Sequence, residues 1–233
     1  MSIKLLGKQS LVYGFGHVIT RLVTFLLLPL YTNQFTPEQY GIVALFYTFV
    51  PLLNIVVRYG MGAAFLKNYV PANKEDRMSI MTNVIISLVL TGIPFLLLFY
   101  FFRENLSLVF FGVVKPSYVV MMGIIIFLDT IWSIPMLALR AENRPRLFIF
   151  FSFLNVGVTL LCNLVFIIIF KMNIGSIFLS NLIASLIIFI LVLPYIYQRF
   201  RFSSLSIVKW KTILSFALPF LPAGLFAMAM EVA

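Results

Sequence analysis

The chain has 233 residues, of which 62% are hydrophobic and only 10% charged, with Phe at 26 positions and a formal net charge of +10. So apolar a composition excludes a soluble globular domain and reads as an all-α integral membrane protein. The positive charge does not point to nucleic acid, because no soluble domain is present to carry a basic face.

A bilayer crossing takes roughly 20 apolar residues, and stretches of that kind fall at about 10–33, 40–66, 79–102, 117–139, 147–170 and 176–197, with a seventh starting near Thr212. Lys4 and Lys8 ahead of the first run imitate a signal peptide. That run is too long and lacks a small-residue cleavage site, so it reads as a retained helix. The expected organisation is a six-helix lobe over 1–197, a connection over 198–211 and the start of a seventh helix over 212–233. Ala233 ends a stretch that has passed Leu218-Pro219-Phe220-Leu221-Pro222-Ala223-Gly224 with only Glu231 to close it. The expectation is therefore the first half of a longer protein, with the seventh helix partly detached. The N-terminus and alternate connections (Lys67, Lys74, Arg77; Arg140, Arg144, Arg146; Arg199, Arg201, Lys209, Lys211) hold 12 of the 17 basic residues, against Arg103, Lys115 and Lys171 in the others. That bias predicts a multi-pass protein of the cytoplasmic (inner) membrane with its N-terminus in the cytoplasm.

Two arginines stand within the spans, Arg21 in the first and Arg58 in the second. A guanidinium at mid-bilayer costs between about 2.5 and more than 10 kcal/mol, so it persists only facing a protein interior or wet cavity. Tyr13, His17, Arg21, Thr24, Leu28 and Tyr31 share one helical face, and Tyr47, Pro51, Asn54, Arg58 and Gly62 form a similar stripe. The pair of stripes predicts two helices lining one cationic cavity for an anionic ligand, with Arg58 roughly 12 Å inside its span. His17 either hydrogen-bonds in that cavity or packs between helices. It is the single histidine, which argues against a His-based metal site.

Asp129 is the one acid deep in the complete spans. It reads either as a proton- or sodium-coupling carboxylate or as a salt-bridge partner of Arg21 or Arg58. Asn155, Thr159 and Asn163 in the fifth span, and Ser180, Asn181 and Ser185 in the sixth, read as interhelical hydrogen-bond donors and acceptors. Cys162, the lone cysteine, reads as a packed small residue. Prolines within or at the ends of spans (Pro29, Pro51, Pro94, Pro135, Pro194, Pro219, Pro222) predict kinks. No nucleotide-binding loop, HExxH or Cys–His pair occurs, so ATP hydrolysis, metal and thiol chemistry have no residues to run on. No cofactor is implied, and the expectation is a transporter rather than an enzyme.

The segments Leu28-Pro29-Leu30-Tyr31-Thr32-Asn33 and Phe35-Thr36-Pro37-Glu38-Gln39-Tyr40-Gly41 resemble the end of the first helix and first external turn of Wzx-type polysaccharide-transporter flippases. Those belong to the MOP superfamily with the MATE pumps and the lipid II flippase MurJ. Arg58-Tyr59-Gly60-Met61-Gly62-Ala63-Ala64-Phe65, Leu139-Arg140-Ala141-Glu142-Asn143-Arg144 and Leu218-Pro219-Phe220-Leu221-Pro222 extend the resemblance. It implies two six-helix lobes, of which this chain carries one, with alternating access to a cationic cavity. The implied cargo is an undecaprenyl-pyrophosphate-linked oligosaccharide, flipped for surface polysaccharide biosynthesis. The implied partners are that lipid-linked glycan, membrane lipids and other polysaccharide-assembly proteins. Arg21 and Arg58 match in position the arginines that bind the lipid-linked pyrophosphate in the lipid II branch, and His17 and Asn54 fall on the same stripes. A cation-coupled multidrug exporter of the same fold is the alternative. A membrane polymerase of polysaccharide assembly is a third reading, weakened by the short external connections.

Overall fold

The computed structural model describes residues 27–232, which are helical with short connections and contain no strand. Arg21 and His17 lie outside the described residues, as does most of the first span. Among the described residues helix α1 covers 27–34, and Leu27 and Tyr31 turn into the core. Then follow α2 (Pro37–Arg58), α3 (Met61–Tyr69), α4 (Lys74–Phe101), α5 (Arg103–Phe111), α6 (Pro116–Ala141), α7 (Pro145–Leu164), α8 (Gly175–Tyr197), α9 (Ile207–Ala217) and α10 (Phe220–Val232). A π-helical turn, Val165–Ile169, continues α7. Six of the described stretches are long and apolar enough to cross a bilayer: Pro37–Arg58, Lys74–Phe101, Pro116–Ala141, Pro145–Ile169, Gly175–Tyr197 and Ile207–Met228.

Local sequence accounts for the helix ends. Thr36 and Gln39 form a capping box, each side chain accepting the other's backbone N–H (3.4 and 3.1 Å), with Pro37 as the first helical residue of α2. Leu139–Arg144 is a Schellman stop to α6. Arg144 N–H donates to the Leu139 carbonyl (2.9 Å) and Asn143 N–H to that of Arg140 (3.1 Å), with Asn143 at φ +55°.

α6 is the central helix, packed against α2, α3, α4, α5, α7 and α8. Its two halves sit in separate apolar clusters. One gathers Ile131, Ile134 and Ala138 with Phe65, Met81, Leu88 and Ile188, and the other gathers Val119, Met122 and Ile126 with Phe46, Phe111 and Phe178. α7 lies at the rim and buries a single residue, the polar Asn163. The outward faces carry Leu90, Leu97, Phe101, Phe150, Leu161 and Ile190, which water would not tolerate in such number but lipid does.

The structure corrects the expected second span. The helix expected over 40–66 stops at Arg58, because Tyr59 (φ +33°) and Gly60 (φ +80°) turn left-handed and α3 sets off anew. Gly62 therefore does not extend the α2 stripe. A second correction concerns the seventh helix, expected to be partly detached. It begins at Ile207, breaks at Leu218–Pro219, and is docked against α2, α3 and α4 with Ile213 and Ala217 buried. Gly60 makes the docking possible, since a Cβ there would strike the Ala217 carbonyl and the Phe220 Cβ. Gly224 likewise packs against Ile55, though less tightly.

The polar face of α4 holds the connection that leads into α9. Ser79 Oγ donates to the Ser204 carbonyl (2.7 Å), Arg201 N–H to Thr82 Oγ1 (3.0 Å), Ser206 N–H to Asn83 Oδ1 (3.3 Å) and Trp210 Nε1 to Ser87 Oγ (3.0 Å). Three of these small polar residues within an apolar helix are thus met by the connecting segment and the fourth, Ser87, by the first turn of α9.

Candidate functional site

The break after α2 is where the site is built. Arg58 occupies the last turn of α2, so its cation lies at the negative end of that helix's dipole. Its Nη2 donates to the main-chain carbonyl of Asp129 on α6 at 3.2 Å. Its Nε is buried and finds no acceptor among the described residues. A guanidinium with one donor unspent, inside an apolar lobe, can take an acceptor from a ligand that enters there.

The Asp129 carboxylate is held by two neutral donors among the described residues. Its Oδ1 accepts from Trp132 Nε1 (2.9 Å) one turn along α6 and from Ser185 Oγ (2.6 Å) on α8. The Arg58 guanidinium makes its contact with the Asp129 backbone and not with the carboxylate. The i, i+3 spacing of Asp129 and Trp132 is legible in the sequence. The Ser185 contact is not, since it depends on how α8 rotates against α6. Asn54, one turn before Arg58, receives a long hydrogen bond from Thr130 Oγ1 (3.5 Å). Arg58, Asn54 and Asp129 are therefore brought together on the α2–α6 seam, with Thr130, Trp132 and Ser185 added by the fold.

A second polar layer links the outer parts of the same helices. Tyr31 on α1 donates to Asn163 Oδ1 on α7 (3.1 Å), and Asn181 Nδ2 on α8 donates to the Tyr47 hydroxyl on α2 (3.2 Å). Tyr31 and Tyr47, one from each of the first two spans, are thus tied to α7 and α8. Asn163 and Asn181 act as the interhelical partners expected of them.

The basic end of the lobe is closed around Glu142, which follows α6. Tyr69 Oη donates to Glu142 Oε1 (2.8 Å), Arg199 grips both oxygens through Nε (3.2 Å) and Nη2 (3.1 Å), and Arg144 lies 3.4 Å from Oε2. Arg199 also lies over the Tyr195 ring at 3.7 Å. Burial alone would raise the Glu142 carboxyl, but the Tyr69 hydroxyl and the Arg199 guanidinium outweigh it and the net direction is down. The Tyr69 hydroxyl, buried and bonded to a carboxylate, is pushed up to about 12 and stays a neutral donor. Glu142 was visible in the sequence only as part of a family-like segment. Its role as a hub appears when α3, α6 and α8 converge.

Similarity to known proteins can be set on this geometry. Residues 6–230 match the family described as polysaccharide biosynthesis protein. Among curated proteins, none matches the chain. A MOP-superfamily transporter from Pyrococcus furiosus, whose binding pocket has a reversed polarity taken to suggest a different function, superposes with TM-score 0.75 at 14% identity, covering 96% of this chain and 52% of that one. An outward-facing multidrug-resistance MATE transporter gives TM-score 0.72 at 13% identity over 95% of this chain and 52% of its own. An inward-facing MATE structure gives 0.67 at 16% identity, over 94% of this chain and 52% of its own. The chain spans about half the length of these structures. With nearly its whole length matched by the family and its helices laid out as in half of a MOP-superfamily transporter, this multi-pass membrane protein belongs to the polysaccharide biosynthesis protein family.

Proposed function

We propose that the protein containing this chain exports lipid-linked oligosaccharides across the cytoplasmic membrane, flipping an undecaprenyl-pyrophosphate-linked glycan by alternating access. The observation that carries this reading is Arg58, set at a helix break with Nε lacking an acceptor among the described residues. A pyrophosphate cannot cross hydrocarbon unassisted, and arginine offers phosphate oxygens a fixed fork of donors. The polyprenyl tail stays in the bilayer, so only the headgroup needs a polar path. In this scheme Arg58 and Asn54 contact the headgroup together with Arg21 and His17, which lie outside the described residues. Asp129 sets the α6 carbonyl that Arg58 leans on and, as the acid at the seam, is the candidate for ion coupling.

The MATE structures favour a second reading, a cation-coupled multidrug exporter, in which Asp129 rather than Arg58 faces the cargo. One experiment separates the two. Arg58→Ala and Arg58→Lys are expressed in the full-length protein in a flippase-null strain, and surface glycan is scored at matched protein level. Export is expected to be lost in the Ala variant and partly restored in the Lys variant, since Lys keeps the charge without the bidentate fork. Full export in Arg58→Ala removes the arginine from the mechanism, and drug efflux lost in Asp129→Asn with glycan export intact supports the drug exporter.

A further inference from the structure

Two cavities at the basic end of the lobe are lined by neighbouring residues of α4 and of the end of α8 and the segment after it. The first, about 500 Å³, is lined by Tyr69, Lys74, Arg77, Glu142, Gln198 and Arg199, with Ala72 and Met78 at its edge. The second, about 630 Å³, is almost wholly apolar and is lined by Ile85, Ile190, Leu193, Pro194, Tyr197 and Phe200, with Ile196 beneath. They are neighbours on both walls. Tyr197 and Phe200 belong to the groove, while Gln198 and Arg199 between them belong to the basic cavity. On α4, Met78 lines the first and Ile85 the second, seven residues and about 10 Å apart on one helical face. On α8, Ile190, Leu193, Pro194 and Tyr197 form a stripe at helical spacing, and all four are exposed.

The charges do not cancel. Glu142 is the acid in the lining and Arg199 grips both of its oxygens, which leaves Lys74 and Arg77 as cations that no lining acid matches. Arg77 is anchored to the Tyr69 and Val70 carbonyls (3.2 Å each), so its charge is held at the cavity wall. Of the acids in the same turn, Asp76 is engaged by Lys209 at 2.6 Å, and neither Glu75 nor Asp76 lines this cavity.

A basic pocket at one end of an apolar groove has the shape and charge of a phospholipid site. We propose that the α4–α8 face holds an anionic phospholipid of the surrounding bilayer, its phosphate at Lys74 and Arg77 and an acyl chain along Ile85, Leu193 and Tyr197. This site is separate from the Arg58 seam and does not depend on the proposed cargo. A phosphate beside two unmatched cations gains electrostatically, and the groove takes the chain without burying any polar group.

The test is lipid retention by native mass spectrometry. The intact protein is delipidated and exposed to equal amounts of phosphatidylglycerol and phosphatidylcholine of matched chains. Phosphatidylglycerol adducts are expected to predominate by roughly 25-fold, at about fivefold for each of the two cations near the surface. Lys74→Gln is expected to cut that bias about fivefold. Leu193→Trp, which fills the groove, is expected to remove most bound lipid of either kind at an unchanged unfolding temperature. Lys74 is exposed and Leu193 faces outward, so neither change threatens the fold. Equal retention of both lipids, or a bias that survives Lys74→Gln, overturns the proposal. So does a polyprenyl diphosphate that displaces phosphatidylglycerol at equimolar concentration, because the site would then serve substrate entry. Arg58→Ala is expected to keep the bias, and its loss there would relocate the bound lipid to the α2–α6 seam.

Discussion

Removing the Glu142 carboxylate should loosen the basic end of the lobe in a way that can be measured and partitioned. Two charge-assisted contacts, from Tyr69 and from the Arg199 fork, are worth about 1.5–3 kcal/mol each, so their sum cannot exceed about 6 kcal/mol. The side chains of Glu142 and Arg199 keep 12% and 20% of their surface exposed, which lets water recover part of that sum. Glu142→Ala is therefore expected to cost about 2–3 kcal/mol, well above the 0–1 typical of a surface ion pair. Arg144 adds little, being half exposed at 3.4 Å. Reversible unfolding in mixed micelles, followed by circular dichroism, reads the cost. A double-mutant cycle with Arg199→Met should show a coupling of about 1–2 kcal/mol. Acidity supplies an independent check. The folded carboxyl lies below its ordinary 4.5, so this stabilisation is fully present above about pH 4.5 and is lost as pH falls through the lowered value. Glu142→Gln should remove that acid-side slope. Glu142→Ala within about 0.5 kcal/mol of the native protein, or an additive cycle, would refute the view of Glu142 as the tie between α3, α6 and α8.

Other outcomes follow from the same structure. Gly60→Ala should destabilise by about 1–3 kcal/mol through its left-handed backbone, and more through the collision with Ala217, freeing α9 and α10 to protease; unchanged proteolysis would show that the docking survives without it. Asp129→Leu should cost about 1–3 kcal/mol by stranding Ser185 and the Trp132 indole, whereas Asp129→Asn should be near neutral and should leave Arg58 on the main-chain carbonyl. Trp132 emission, isolated by Trp210→Phe, reports both changes. A cysteine at position 144 should label only from the cytoplasm and one at position 112 only from outside, and the reverse would invert the orientation read from the basic residues.

Much of this molecule follows from composition along the chain. Membrane insertion depends on runs of apolar residues, which are a one-dimensional property, so the all-helical class and most helix limits were legible. The capping box at Thr36–Gln39 and the Asn143 stop are equally local. The break after Arg58 was less so. Tyr59-Gly60 in an apolar stretch is tolerated within many helices, and the reason a glycine is needed at the break, the close approach of Ala217, lies 157 residues later in the numbering. The same holds for Asp129. Its burial followed from position, but charge alone points only to Arg21 or Arg58 as partners, whereas the rotation of α6 against α8 delivers Ser185 to the carboxylate and turns the Asp129 carbonyl toward Arg58. The sequence by itself determined which residues must avoid lipid; only the tertiary structure decided which of them meet, because hydrogen bonds between helices depend on helix rotation and register, and hydrophobic periodicity constrains those only to within a face.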